Sequence, residues 1–171
     1  MPKSKSDISN SALRIFLQRV GKYYDELRGF DEFKPTLKQK QEVLNFFNER
    51  CCYCNLKIDV LTMTIDHLIP MNKESLGLHA WGNGVSCCRN CNAQKHFKKW
   101  ETYLGKICTP IQYARREVKI KAFLAKYKYE PNLKLEIIAN NLYQDVGAVA
   151  MALIDLRFKQ AEDVINRIHQ K

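Results

Sequence analysis

Two pairs of cysteines, each with two residues between its members, constrain this chain more than any other feature. The first pair is Cys51 and Cys54, and the second is Cys88 and Cys91. Thiolates at this spacing can point at one ion, and four of them complete the tetrahedral sulfur site that zinc accepts. A bound zinc can also replace the apolar core that a small module lacks. The spacing therefore predicts a structural zinc site, with unpaired buried thiols as the alternative.

Two neighbouring cysteines leave open which cysteines form the two pairs. Cys52 directly follows Cys51, and Cys87 directly precedes Cys88. Cys52 and Cys54 would be separated by one residue only, so the two-residue spacing selects Cys51 and Cys88 as the ligands.

The composition is typical of a globular chain, with 171 residues of which 46% are hydrophobic. Residues 1–11 are polar and have no apolar run after their lysines, so we expect no signal peptide. We also expect no membrane segment, because no run approaches about 18 consecutive apolar residues. A soluble, cytoplasmic protein is therefore expected, and in that reducing compartment paired cysteines favour a metal over a disulfide. Cys108 stands alone and is predicted to be a core residue.

The positive charge is concentrated just after the second cysteine pair. The chain carries a net charge of +10, and residues 94–128 hold ten of its lysines and arginines but only two acidic residues. Such a patch supplies affinity for phosphates with little sequence information, so it indicates a polyanionic partner. The alternative is a solvated, lysine-rich helix face. Residues 129–171 are nearly neutral, and we expect them to pack against the other helices or to form a dimer interface.

The predicted fold class is α+β and mostly helical, with a small central module between helical extensions. A pair of short strands around a turn is predicted over 58–65, from its β-branched residues, and a loop over 71–86. The predicted domains are 1–50, 51–105 and 106–171. Apolar periodicity predicts helices over 7–28, 37–49, 90–103, 111–128, 133–146 and 148–169.

The segment between the cysteine pairs carries a different set of chemical groups. It contains the pair Asp66-His67 and, further on, Asn83, while Asn92 directly follows Cys91. Carboxylate and amide oxygens suit a hard cation such as Mg²⁺, and an imidazole titrates near neutral pH. These groups are what phosphodiester hydrolysis requires, namely a base for the nucleophile and a cation for the developing charge.

Residues 51–97 resemble the HNH endonuclease family, whose core is a ββα-metal fold that a four-cysteine zinc site often reinforces. The resemblance covers a little over a quarter of the chain. It rests on the first cysteine pair, Asp66-His67 followed by Pro70, Asn83, and the run Cys88-Arg89-Asn90-Cys91-Asn92-Ala93-Gln94-Lys95.

This resemblance implies a role for each polar residue. His67 would be the general base, Asp66 and Asn92 would bind one divalent cation, expected to be Mg²⁺, and Asn83 would hold the His67 loop through backbone hydrogen bonds. Many relatives have a histidine where this chain has Asn92, a replacement that bears on metal preference because imidazole favours transition metals. The roles of His79 and His96 stay open at this point.

The sequence therefore predicts a metal-dependent endonuclease that acts on double-stranded DNA, in a restriction or phage-defence setting. A homodimer is expected, because two sites are needed to cut both strands. The alternative is a non-catalytic, zinc-dependent nucleic-acid-binding protein. The predicted nucleic-acid contacts are Arg89, Lys95, Lys98, Lys99, Arg115, Arg116 and Lys119.

Overall fold

The computed structural model describes residues 4–130 and 134–169, with side chains as far as residue 162. The protein is α+β and mostly helical, as predicted, with a two-stranded sheet and a short helix at its centre. In chain order the elements are α1 (Lys5–Leu27), α2 (Leu37–Phe46), β1 (Thr64–His67), β2 (Gly84–Cys87), α3 (Arg89–Lys95), α4 (Trp100–Ile107), α5 (Pro110–Lys126) and α6 (Glu136–His169).

Three of the predicted helices are confirmed within a few residues as α1, α2 and α5. Thr36 caps α2, because its hydroxyl oxygen accepts a hydrogen bond from the Gln39 N–H at 3.3 Å. The helix ends earlier than predicted because Asn48 and Glu49 both adopt a φ of 55°, which a right-handed helix excludes.

The strand pair predicted over 58–65 is wrong. The carboxylate of Asp59 accepts hydrogen bonds from the N–H groups of Leu61 and Thr62, each at 2.8 Å, and this fixes a turn. The extended chain begins only after that turn, as β1. It pairs antiparallel with β2, which lies in the segment predicted to be a loop.

The single helix predicted over 90–103 is two helices, α3 and α4. His96 ends α3 with a φ of 51°, a left-handed conformation for which no glycine marks the sequence. Conversely, the two helices predicted after residue 132 are one helix, α6. Gly147 has no side chain, so the Ser9 hydroxyl of α1 can pack directly against it, and α6 continues through this residue. Pro131, which we expected to separate the last helices from the rest, lies outside the described residues.

A buried ion pair fastens α1 to the loop that precedes β2. The Asp25 carboxylate pairs with Arg28 at 2.5 Å and accepts backbone hydrogen bonds from Phe33 and Trp81, both at 3.0 Å. Arg28 also donates to the Tyr127 carbonyl oxygen beyond α5. This network joins segments from both sides of the central module, and one continuous apolar core does the same. The predicted domain boundaries stay a prediction.

The outer part of α6 is apolar but exposed. Val149, Leu153 and Leu156 lie on one face of this helix, and each has more than half of its surface exposed. By length and composition alone, residues 136–162 would suffice to cross a membrane, although we expected no such segment from the sequence.

Candidate active site and metal centre

The four cysteines selected by their spacing converge in space. The Sγ atoms of Cys51, Cys54, Cys88 and Cys91 all lie within 4.8 Å of one another. The first two lie on the turns after α2, and the other two lie at the start of α3, where the Cys88 sulfur accepts the Cys91 N–H at 3.4 Å. The prediction of a four-cysteine metal site is confirmed as a cluster that can hold one metal ion.

The register of the cluster also follows the two-residue spacing. Cys52 and Cys87 do not belong to the four-sulfur group. Hydrogen bonds from Cys87 and Cys91 lower the pKa of the Cys51 thiol, whereas burial raises the pKa of Cys54 and the hydrogen bond with Cys51 raises the pKa of Cys91. Cys108 is only partly buried and lies away from the cluster, with its sulfur 4.0 Å from the Tyr53 carbonyl oxygen.

Asp66 is held in a buried polar network. Its Oδ2 accepts a hydrogen bond of 2.6 Å from the Tyr53 hydroxyl and lies 3.0 Å from the Lys95 ammonium. Burial raises the pKa of this carboxyl, and the charge of Lys95 acts in the opposite direction. Asp66 therefore lies at the site as a carboxylate whose negative charge is already partly offset.

Lys95 was predicted to contact DNA, but its side chain is buried. Its side chain is 1% exposed, and its ammonium donates to the His67 carbonyl oxygen at 2.6 Å in addition to pairing with Asp66. A lysine in this position cannot reach a phosphate of a bound duplex. The expectation is therefore corrected, and Lys95 fixes α3 against β1.

His67 and His79 form a hydrogen-bonded pair. The Nε2 of His67 lies 2.9 Å from the Nδ1 of His79, a residue of the loop between the two strands. Burial, with contributions from His79, Lys95 and Arg14, lowers the pKa of His67 to about 3. Burial also lowers the pKa of His79. Both imidazoles are therefore neutral at neutral pH, and one ring donates to the other.

Asn83 is fully buried and clamps the chain that follows His67. Its Oδ1 accepts the Ile69 N–H at 2.8 Å, and its Nδ2 donates to the carbonyl oxygens of Ile69 at 3.0 Å and Leu78 at 2.7 Å. The backbone oxygen of Asn83 also accepts the Leu68 N–H at 2.9 Å. These four hydrogen bonds fix the exit of β1 and the start of the loop that carries His79.

Asp66, His67 and His79 line a cleft of about 320 Å³, together with His96 and residues of α1. Asn92 is half-buried on α3, one turn before His96, whose N–H donates to the Asn92 carbonyl oxygen at 3.2 Å. The lining residues of the cleft are Arg14, Gln18, Asp66, His67, Pro70, Met71, His79, His96 and Phe97.

Sequence reasoning missed the contribution of α1 to this cleft. Arg14 and Gln18 reach it because Gly21 lets α1 approach the backbone of His79, where a side chain would collide with the carbonyl oxygen at 2.3 Å. No motif marks this contact, and the one available signal was the glycine within an amphipathic helix.

The remaining predicted nucleic-acid contacts fall in two places. Arg89 and Lys99 are exposed and Lys98 is half-exposed, and all three lie near α3 and its C-terminal end. Arg115, Arg116 and Lys119 lie on α5 and line a separate cavity that shares no residue with the cleft.

Replacing one cysteine of the cluster tests its structural role. We expect Cys88→Ser to lose the bound metal and most helical circular dichroism of the central module, because metal binding supplies folding free energy. Cys108→Ser is the matched control and should keep both. Metal content by mass spectrometry and thermal unfolding check this, and a stable, metal-free Cys88→Ser protein would contradict the assignment.

Comparisons with known proteins agree with this geometry. Residues 51–98 match the HNH endonuclease family. The chain is also 30% identical over 107 residues to the "SPbeta prophage-derived putative HNH endonuclease YoqL" of Bacillus subtilis (strain 168), an alignment that covers 54% of this chain and 42% of the relative. The match thus spans less than half the length of that relative, and no solved structure matches the chain significantly. Residues 51–98 are an HNH endonuclease domain, and its four cysteines form a cluster that can hold one metal ion.

Proposed function

We propose that this protein is an endonuclease that hydrolyses phosphodiester bonds of double-stranded DNA, with His67 as general base and one divalent cation. The observation that carries the proposal is the cleft in which Asp66 and His67, consecutive on β1, lie beside His96 and the cationic Arg14. A neutral imidazole can take a proton from water, and the cationic Arg14 beside it attracts a phosphate. The pKa of about 3 makes His67 a weak base in the free protein, and a bound anionic phosphate would raise that pKa.

The contact between His67 and His79 supports a defined tautomer for the base. If the His67 Nε2–H donates to the Nδ1 of His79, the lone pair of His67 is left on Nδ1. That atom can then accept the proton of an attacking water. In this arrangement His79 is a positioning residue, and it holds the imidazole much as the third member of a catalytic triad does.

Zinc is the metal that we propose for the four-cysteine cluster. Sulfur atoms at the corners of a tetrahedron with zinc–sulfur bonds of about 2.3 Å lie about 3.8 Å apart. The sulfurs of Cys54 and Cys88 are separated by 3.8 Å. The separation of this pair supports a closed structural zinc site, which would leave no open position for a substrate.

Mg²⁺ is the cation that we propose for the cleft, with Asp66 and Asn92 as its protein ligands. Asp66 lines the cleft, whereas Asn92 lies on α3 one turn before the lining residue His96 and is not itself among the described lining residues. When bound, it would offset the charge that develops on the phosphate and on the leaving oxygen. Asp66 fits this role as a carboxylate that lines the cleft, although Lys95 already neutralises part of its charge. Two protein ligands of low net charge imply weak binding until substrate phosphates complete the coordination.

A homodimer through the exposed face of α6 is part of the proposal. Val149, Leu153 and Leu156 follow one another at helical spacing, so that two copies could bury them against each other and bring two clefts to one duplex. A restriction or phage-defence role is the setting we propose, on the size of the chain and its nuclease domain.

Charge substitutions on α6 test whether its exposed apolar face forms a dimer interface or binds another surface such as a lipid membrane. We expect Leu153→Glu to convert a dimer to a monomer in sedimentation equilibrium. Phe158→Glu is the control, because Phe158 is equally exposed but lies on the opposite side of the helix. A wild-type chain that is monomeric at micromolar concentration, or that sediments with lipid vesicles instead, would contradict the dimer.

The catalytic proposal is tested by cleavage of supercoiled plasmid with Mg²⁺, Mn²⁺ or no metal. We expect His67→Ala to lower the rate by about 10²- to 10⁴-fold, the usual contribution of a general base, while the protein stays folded and zinc-loaded. Asn92→Ala should weaken the response to Mg²⁺.

Asn90→Ala is the matched control for Asn92→Ala, because Asn90 is an exposed amide on the same helix whose side chain contacts Gln94. Its rate should equal that of the wild type. Wild-type protein that binds plasmid but leaves it uncut with every metal would favour the non-catalytic, nucleic-acid-binding alternative.

A further inference from the structure

A second cavity, of about 440 Å³, lies between α5 and the first cysteine turn. It shares no lining residue with the cleft of His67. Four cationic side chains border it, namely Arg50, Arg115, Arg116 and Lys119, and no acidic residue is among its described lining residues. The nearest acid on α5, Glu117, is paired with Lys121 at 2.8 Å.

One donor of a side chain that lines this cavity has no hydrogen-bond partner among the described residues. The Nε of Arg116 is buried and makes no hydrogen bond to any described part of the chain. A buried donor without an acceptor costs about 1–3 kcal/mol, so such a group calls for a ligand or an ordered water. The guanidinium edge that carries this atom offers two parallel donors, which match two oxygens of a phosphate.

The neighbouring side chains are held by the fold. Phe46 and Phe47 of α2 pack on Phe123 of α5 with ring centroids 4.9 and 5.1 Å apart, and this fixes the two helices around the cavity. Lys119 lies over the Phe46 ring, 4.5 Å from its centroid. Arg50 donates to the Asn55 carbonyl oxygen at 2.9 Å.

The negative charge of the four-cysteine cluster with a bound zinc would balance only part of this positive charge. Cys51 lines the cavity, and four thiolates around one zinc carry a charge of about −2, which would attract nearby cations. Four cations exceed that charge, and the excess is available to an anion that enters from solvent. An anion with several oxygens fits better than chloride, because the donors come from two separate segments of the chain.

We propose that this cavity is a phosphate-binding site, separate from the catalytic cleft. The phosphate is either a backbone group of the nucleic acid or a free phosphate. The first source rests on the proposed function, in which the site would anchor the DNA away from the scissile bond. The site itself does not depend on cleavage.

Binding of inorganic phosphate tests the site without any nuclease assay. Thermal unfolding of the zinc-loaded chain is followed in phosphate and in chloride at equal ionic strength. We expect phosphate to raise the melting temperature of the wild type, by ligand linkage, and Arg116→Gln to lose this shift. Lys106→Gln is the matched control, because it removes one exposed positive charge on α4, outside the cavity, without releasing an acidic partner among the described residues, and it should keep the shift.

The DNA arm identifies the source of the phosphate. DNA binding is measured by fluorescence anisotropy over a range of salt concentrations, in the His67→Ala background so that no cleavage interferes. If DNA supplies the group, Arg116→Gln should weaken binding several-fold and reduce the salt slope by about 1. If Arg116→Gln loses the phosphate-dependent rise in melting temperature but binds DNA as the wild type does, the ligand is free phosphate.

Arg116→Lys keeps the proposal falsifiable if the glutamine variant folds poorly. It retains the charge but loses the paired donors, so that its phosphate shift should be intermediate. The proposal is wrong if Arg116→Gln is folded and responds to phosphate as the wild type does, or if Lys106→Gln loses the response to the same extent. Loss of cleavage with intact phosphate binding would instead overturn the nuclease proposal alone.

Discussion

The convergence of four sulfur atoms is the constraint on which the rest of the central module depends. The cluster joins the turns after α2 to the first turn of α3, and it thereby fixes where α3 begins. Asn92 follows Cys91 directly, and Lys95 lies one turn further along the same helix. From that position the Lys95 ammonium reaches both Asp66 and the His67 carbonyl oxygen. The cysteine cluster thus orients β1 through a buried lysine.

The cleft is completed by parts of the chain outside the HNH segment. The ion pair of Asp25 and Arg28 holds α1 to the loop before β2, and the close approach at Gly21 brings Arg14 to the His67 imidazole. Truncating one partner of such a buried pair leaves an uncompensated charge and is expensive. The N-terminal helix is therefore part of the site and not an appendage. This also explains why a match limited to residues 51–98 does not describe the whole cleft.

Sequence reasoning located the metal ligands because thiolate spacing is a geometric requirement that short motifs express directly. Through the family resemblance it also predicted that Asn83 holds the loop after His67, although the predicted strands ended at residue 65, before Asp66 and His67. The burial of Lys95 was not visible, because a lysine in a basic region has no local mark that distinguishes an ion-paired core position from a solvated one. Only the three-dimensional proximity of α3 and β1 reveals it.

The errors in secondary structure have similar causes. Strand pairing between β1 and β2 is a long-range contact, so that β-branched residues before β1 could indicate extended chain without identifying its partner. The break at His96 lacks a glycine or proline signal, and the continuity of α6 through Gly147 depends on packing against α1. In each case tertiary contacts outweighed a local preference.

The central claim is that the sulfur cluster is a scaffold and that a separate cation binds at Asp66 and Asn92. Electron paramagnetic resonance of Mn²⁺, titrated into the zinc-loaded His67→Ala chain with duplex DNA present, tests it most directly. We expect one bound Mn²⁺ per chain and an unchanged zinc content. Adding Asn92→Ala should abolish this binding, so that the spectrum of free Mn²⁺ returns. Displacement of zinc by Mn²⁺, or equal Mn²⁺ binding with and without Asn92, would contradict it.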